Sequence, residues 1–220
     1  MAVAAKQVNS LQQSVAPRLP VAPVEYDQRF IDEFIRILRL YFNQLDNINT
    51  GLLSQTGGAY LHTIYGSYSS SVDQTFAAAN TPQVVTFNTT QYSNGGFLTT
   101  GTKAGVNQSG LYLYNFSLQL ANTDTSIHNV QIWLRKNGTD ISNTGTKIDV
   151  PAHHGSVDGY INATGAFFVS LGAGDYIELV AVSDSTSVYL ENYAAQTTPY
   201  VRPAIPSVSV ALSFVSSVQG

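Results

Sequence analysis

The C-terminal two thirds of the chain alternate apolar and polar residues with the period of two that indicates β-strands. In "GLYLYNFSLQLAN", residues 110–122, aromatic and leucine side chains at alternate positions share one face, beginning with Tyr112 and Tyr114. Further runs predict strands near residues 84–87, 129–135, 146–150, 166–171, 176–183, 188–193 and 207–215. Turn-forming residues separate these runs and no helical pattern intervenes. Residues 73–220 are therefore predicted to form a sandwich or jelly roll of eight to ten antiparallel strands.

The segment 25–48 is predicted to be an amphipathic helix, whose helical period occupies residues 27–48 with Asp27 as the N-cap. When Ile31 is set at heptad position a, every a and d position is apolar: Ile31, Phe34, Leu38, Tyr41, Leu45 and Ile48. Phe30 and other apolar residues widen this stripe. Such a broad stripe is typical of a trimerising helix or of a helix docked in a larger assembly. The alternative is an amphipathic helix packed on its own domain.

Two irregular segments flank the predicted helix. Residues 1–24 contain Pro17, Pro20 and Pro23, whose spacing favours an extended arm that docks on something else. Residues 49–72 are rich in Gly, Ser and Tyr and are predicted to form a linker or neck.

Two dipeptides are predicted to form tight turns. Asn137 and Gly138 tolerate the positive φ angles of a type I′ turn and follow an apolar strand directly. Gly174 and Asp175 offer a second turn, in which the aspartate side chain can accept hydrogen bonds from backbone N–H groups.

The chain's single tryptophan, Trp133, lies on the polar face of the strand predicted for residues 129–135. We expect it to contribute, with Tyr112 and Tyr114, to a subunit interface or a surface patch. The alternative is a partly exposed indole that lies across its strand neighbours and has no binding role.

The amino-acid composition and charge bear on which partners the protein can bind. Charged residues make up only 11% of the chain against 44% hydrophobic residues, and the net charge is −4. Without a basic stripe, we expect no nucleic-acid binding. No apolar run is long enough to span a bilayer, so we expect no membrane insertion, and the N-terminus lacks the pattern of a secretory signal. The absence of cysteine excludes disulfides and thiol chemistry.

Candidate catalytic and metal-binding residues form no convincing constellation. Adjacent His153 and His154 point in opposite directions on an extended chain, and Asp149 and Asp158 lie outside any dense calcium-binding loop. Nothing in the sequence pairs Asp175, Glu178 or Glu191 as an acid and a base. We therefore expect no cofactor, no metal and no enzymatic activity.

The order of four motifs resembles a domain of tailed-bacteriophage virion proteins. The motifs are "GLYLYNFSLQLANTD", "VQIWLRKNGTDI", "VSLGAGDYIELVAV" and "RPAIPSVSVALSFV", and the domain resembles the jelly-roll superfamily of complement globular heads and tumour necrosis factor. The residues that match the superfamily pattern are Gly110, Tyr112, Tyr114, Asn137, Gly138, Leu171, Gly174 and Asp175. The segment "FIDEFIRILRLYFNQLDN" also resembles a module that precedes varied C-terminal domains in phage virion proteins.

The resemblance implies a mainly β, antiparallel jelly-roll domain that follows an extended arm and one amphipathic helix. It also implies a homotrimer on the surface of the virion, attached to a tail or capsid protein through residues 1–48. The predicted function is that of a short tail fibre or receptor-binding protein whose knob contacts a host surface glycan or receptor. A capsid decoration protein and, more distantly, a free lectin-like module remain as alternatives.

Overall fold

The computed structural model describes residues 15–21, 23–53 and 63–217, and the chain divides into two compact units, Met1–His62 and Thr63–Gly220. The first unit contains helix α1 (Gln28–Leu53). The strands of the second unit are β1 (Tyr65–Ser70), β2 (Gln74–Thr75), β3 (Gln83–Val84), β4 (Thr89–Asn94), β5 (Gly96–Thr99), β6 (Lys103–Val106), β7 (Gly110–Asn122), β8 (His128–Lys136), β9 (Thr139–Asp140), β10 (Thr146–Val150), β11 (Gly159–Leu171), β12 (Tyr176–Ser183), β13 (Val188–Leu190) and β14 (Val208–Ser216).

Helix α1 begins where the sequence predicted. The Asp27 carboxylate accepts a hydrogen bond from the backbone N–H of Arg29 at 2.9 Å, which confirms the predicted N-cap. The helix runs for 26 residues, about 39 Å, and ends five residues beyond the predicted limit of 48. Residues 15–21 and 23–27 contain neither helix nor strand. The rest of the predicted arm, residues 1–14 and 22, lies outside the described residues.

The second unit is a sandwich of two antiparallel sheets. Sheet A has the order β11–β7–β14–β1–β4, and β13 and β2 extend it beyond the end of β14. Sheet B has the order β10–β8–β12–β6–β5, with β3 beside β12 and β9 beside β8. The chain crosses from one sheet to the other eight times, after β2, β3, β4, β6, β7, β10, β11 and β12. This connectivity confirms the predicted fold class, an antiparallel jelly roll.

The core lies between the two sheets and follows the alternation of their strands. Strand β7 contributes its even-numbered side chains from Tyr112 to Leu120, while β8 contributes Val130, Ile132 and Leu134. Tyr112 and Tyr114 are completely buried, so their assignment to a surface patch was wrong. They share a face with leucines that must be removed from water, and the period of two carries them into the core with those leucines.

The predicted linker, residues 49–72, is too long. Strand β1 lies inside this range and pairs with β14 and β4 in sheet A, so the sandwich begins before residue 73. The sequence "YGSYSS" contains no branched apolar residue and therefore reads as a polar loop. Its position between two strands, with Tyr68 buried in the core, makes it a strand nonetheless.

Candidate functional site

Trp133 lies beside an open groove of about 480 Å³ at the edge of sheet B. Trp133 is paired with Val180 on β12. On the other side of β8, the short strand β9 pairs with residues 135–136 and β10 pairs with residues 128–132. Val180 is fully buried although it is absent from the core between the sheets, and Trp133 stands directly opposite it. The partly exposed indole therefore borders both a buried valine and the groove.

A carboxylate fixes the edge of the indole. Trp133 donates its Nε1–H to Asp140 Oδ1 at 2.8 Å, and Arg135 donates Nε–H to the same oxygen at 2.9 Å. These two bonds, that of Trp133 first, lower the pKa of Asp140 below its usual range. The groove thus has a positioned aromatic surface next to a carboxylate that stays ionised near neutral pH.

A buried threonine, Thr144, fastens the segment that follows Asp140 to β8. Thr144 accepts a hydrogen bond from the backbone N–H of Leu134 at 3.1 Å and donates its own to the carbonyl of Ile141 at 2.8 Å. The backbone N–H of Ile141 returns a bond to the carbonyl of Leu134. These bonds fasten the segment 141–145 to β8, so the groove is preformed.

The two predicted turns meet at one end of sheet B. Asn137 and Gly138 have φ angles of 49° and 83°, and Gly174 has a φ of 87°. Asn137 donates its side-chain N–H to Asp175 Oδ1 at 2.6 Å, and Lys136 lies 2.8 Å from Asp175 Oδ2. The predicted turn residues therefore form one cluster, in which the hydrogen bonds of Lys136, Asn137 and the Gly172 N–H lower the pKa of Asp175 to about 2.

The outer face of sheet A has a different character. Every Lys, Arg, Asp and Glu that lies within a strand belongs to sheet B: Lys103, Arg135, Lys136, Asp140, Lys147, Asp149 and Glu178. The strands of sheet A contain none. On its outer face Phe168 is 65% exposed and stands opposite Leu113 in the neighbouring strand. The outer face of sheet A is thus uncharged and partly apolar.

Strand β11 forms one edge of this uncharged sheet. It pairs with β7 over all thirteen of its residues without a register shift, and within residues 63–217 no strand pairs with its other side. It contains no proline and no charge. Isolated proteins normally protect such an edge with a charge, a proline, a bulge or a short strand. The edge strand of sheet B, β10, carries Lys147 and Asp149 within five residues.

A histidine between two aspartates ties three segments of the sandwich together. His128 Nε2 lies 2.9 Å from Asp124 Oδ2, and its Nδ1 lies 3.0 Å from Asp184 Oδ1. The bond with Asp124 raises the pKa of His128 against the opposing effect of burial, and the charge of Asp184 raises it further. Asp184 also accepts the backbone N–H of Asn129, which fits a structural link between loops.

His153 and His154 lie in and beside a tight turn in which His154 and Val157 exchange backbone hydrogen bonds. Within the described parts of the chain, no three His, Asp or Glu side chains are arranged to hold a metal ion. Across residues 15–53 and 63–217, with the undescribed gaps left aside, no helix is long and apolar enough to cross a membrane.

The apolar stripe of α1, which we call its seam, contains no buried side chain among the residues predicted to form it. Ile31 is 37% exposed, and the other seam residues are partly exposed: Phe30, Phe34, Leu38, Tyr41, Leu45 and Ile48. Between residues 28 and 50 the helix has no buried side chain at all. Its apolar stripe is therefore present and incompletely covered in the single chain.

The comparisons with known proteins concern the fold alone. No protein-family model matches the chain, and no curated protein matches it. Among solved structures, the chain is similar to the Eiger TNF of S. frugiperda, with a TM-score of 0.46 and 13% sequence identity. The alignment covers 73% of this chain and 97% of that chain.

Several residues of these surfaces were missed by the sequence analysis. Asp140 and Thr144 follow the Asn137-Gly138 turn, and their roles depend on how the chain returns along β8 after that turn. Phe168 occupies an outward position of β11, and the full length of that strand was not predicted. Alternation along residues 159–171 assigns Phe168 to one face, but only the sheet order shows that this face is the uncharged one.

Proposed function

We propose that this chain is a non-enzymatic structural protein of a virion, displayed as a homotrimer whose jelly roll is a binding knob. Residues 1–48 attach it to another virion protein, and the knob serves as a short tail fibre or receptor-binding module. The sequence motifs support the virion assignment. The uncharged outer face of sheet A, bounded by the edge strand β11 with neither charge nor proline of its own, supports self-association and is the observation on which the proposal rests.

Physical chemistry favours covering this face. A long, uncharged edge strand is a template for unwanted pairing unless another surface shields it. Association would remove most of the exposed Phe168 side chain from water. Burying a phenylalanine contributes about 1.5–3 kcal/mol to the free energy of association. An identical face on every copy makes a second copy of the chain a suitable partner.

The helix supports three copies. An apolar stripe that extends from positions a and d into e and g exceeds what one facing helix covers, whereas two neighbouring helices cover it. Seam residues such as Phe34, Leu38 and Leu45 are incompletely buried in the single chain, so they are available for this contact.

Light scattering on the full-length protein tests self-association. We expect a mass three times the 23.7 kDa of the chain. Phe168→Glu should weaken association by at least about tenfold, because it replaces apolar burial with a buried charge. Ile127→Glu is the matched control, since Ile127 is equally exposed, at 66%, in the loop before β8. A wild-type monomer, or equal effects of the two variants, would contradict the proposal.

The virion role needs a separate measurement. Fluorescently labelled full-length protein should bind host cells if the knob recognises a receptor, and it should bind purified empty capsids if the chain decorates the head. Binding to neither would overturn the assignment to a virion surface, whatever the mass of the protein.

A further inference from the structure

We propose that the Trp133 groove binds a neutral oligosaccharide. The inference deepens the proposed function, on which it rests, by assigning the knob a recognition site and a ligand class. The groove's volume of about 480 Å³ lies within the roughly 300–1,000 Å³ of small-ligand sites. Trp133 is the one aromatic residue among those that line it, and most of the others are polar: Gln131, Asp140, Ser142, Thr146 and Lys147.

The indole is suited to an apolar sugar face. A pyranose ring has a patch of C–H groups on each face and hydroxyls around its rim, so it matches a flat aromatic surface with polar groups beside it. Trp133 meets this requirement because its Nε1–H is already bound to Asp140. The ring is therefore held in place before a ligand arrives, which lowers the entropic cost of binding.

The rim of the groove supplies both donors and acceptors. Asp140 Oδ1 is occupied by Trp133 and Arg135, which leaves its second oxygen as an acceptor. Gln131 and Ser142 can each donate and accept, and Lys147 donates. Sugar hydroxyls require this mixture, since each hydroxyl is donor and acceptor at once.

Charge selects a neutral ligand. Asp140 and Lys147 are the only charged side chains that line the groove within the described residues, and they have opposite signs. A polyanion would meet Lys147 and the Arg135–Asp140 ion pair rather than a row of basic side chains, while the protein as a whole carries −4. A phosphate backbone therefore has no complementary surface here.

Titration of the full-length protein tests the site. Because the chain has one tryptophan, its fluorescence reports on the groove directly. We expect at least one of maltotriose, mannotriose and chitotriose to shift the emission saturably at millimolar concentration, and sialyllactose, which is anionic, to have no effect. Absence of any response to the three neutral sugars, by fluorescence and by saturation-transfer NMR, would overturn the proposal.

Variants locate the binding and are read by saturation-transfer NMR. Asp140→Asn keeps an acceptor for the indole and removes the charge, so affinity should fall about tenfold or more. Trp133→Ala should abolish binding, whereas Trp133→Tyr should restore part of it. Tyr200→Ala is the control, because Tyr200 is an exposed aromatic residue outside both sheets. Equal affinity of Asp140→Asn and wild type would place the ligand elsewhere and overturn the proposal.

Light scattering on the same samples separates this proposal from the previous one. A trimer that binds no neutral sugar overturns the groove assignment and leaves self-association standing. A monomer that binds the sugar supports the groove and overturns the trimer.

Discussion

At the scale of single residues, Asp175 connects two turns that are far apart in the sequence. Its carboxylate accepts hydrogen bonds from the Asn137 side chain and from the Gly172 N–H at 2.6 and 2.7 Å, and it pairs with Lys136 at 2.8 Å. One side chain thereby joins the turn after β8 to the turn before β12. The donors favour its charged form, which is why its pKa falls to about 2.

This depressed pKa predicts a pH-dependent contribution to stability. Because the folded-state pKa of Asp175 lies below its unfolded value, the contribution is complete above about pH 4–5 and is lost as the pH falls towards 2. We expect Asp175→Asn to lower the free energy of unfolding by about 1–2 kcal/mol at pH 7, after allowance for solvent screening. Urea denaturation at fixed protein concentration between pH 2 and 7 measures this.

A matched aspartate controls for the loss of a charge. Asp149 is exposed on β10, so Asp149→Asn should change the free energy of unfolding by less than about 0.5 kcal/mol. A deficit of Asp175→Asn that stays constant from pH 7 to pH 2 would show that the carboxylate's charge is not what stabilises the two turns.

Residue type alone predicted the two turns, because glycine and asparagine adopt positive φ angles more readily than other residues. Asn137, Gly138 and Gly174 all have positive φ angles. It did not predict that Asn137 and Asp175 meet, since they are 38 residues apart and only the pairing of β8 with β12 brings them together. Tyr112 and Tyr114 were placed wrongly because an aromatic hydroxyl suits a surface as well as a core.

At the scale of elements, helix α1 has the clearest sequence signal and an apolar stripe without full cover. We expect the triple variant Ile31→Asp, Leu38→Asp and Leu45→Asp to weaken self-association by several orders of magnitude, because three charges per chain would enter one seam. Circular dichroism checks that the helix persists, and light scattering measures the mass.

The other side of the same helix provides the control for this variant. The control is the triple variant Arg36→Asp, Asn43→Asp and Thr50→Asp. These three residues share heptad position f, so the variant introduces three acidic residues with the same spacing on the exposed face. This control should keep the wild-type mass. If both triple variants dissociate equally, net charge rather than the seam drives the effect, and the heptad assignment of α1 is wrong.

Strands with branched apolar residues were predicted well, and polar strands were not. Strands β10 and β12 have the predicted bounds, because apolar residues such as Ile148, Val150 and Leu179 mark them as strands. Strand β4, "TTQYSN", is exposed at every position and has no such mark. It is a strand because β1 lies beside it, so tertiary pairing overrides local propensity there.

At the scale of the whole molecule, the main asymmetry is the segregation of charge between the sheets. All charged strand residues belong to sheet B, although they are spread between residues 103 and 178. The chain passes repeatedly from one sheet to the other, so strands that are neighbours in the sequence often belong to different sheets. The uncharged face could therefore not be recognised before the strand order was known.

Two self-association surfaces on one chain should reinforce each other. The unit Thr63–Gly220 contains its own core, so a chain of residues 63–220 should fold and keep the outer face of sheet A while it loses α1. Linked contacts raise each other's effective concentration, so the full-length trimer should persist at dilutions where this shorter chain dissociates. Light scattering over a dilution series measures both. If the shorter chain and its Phe168→Glu variant dissociate at the same concentration, sheet A contributes nothing and the helix alone assembles the protein.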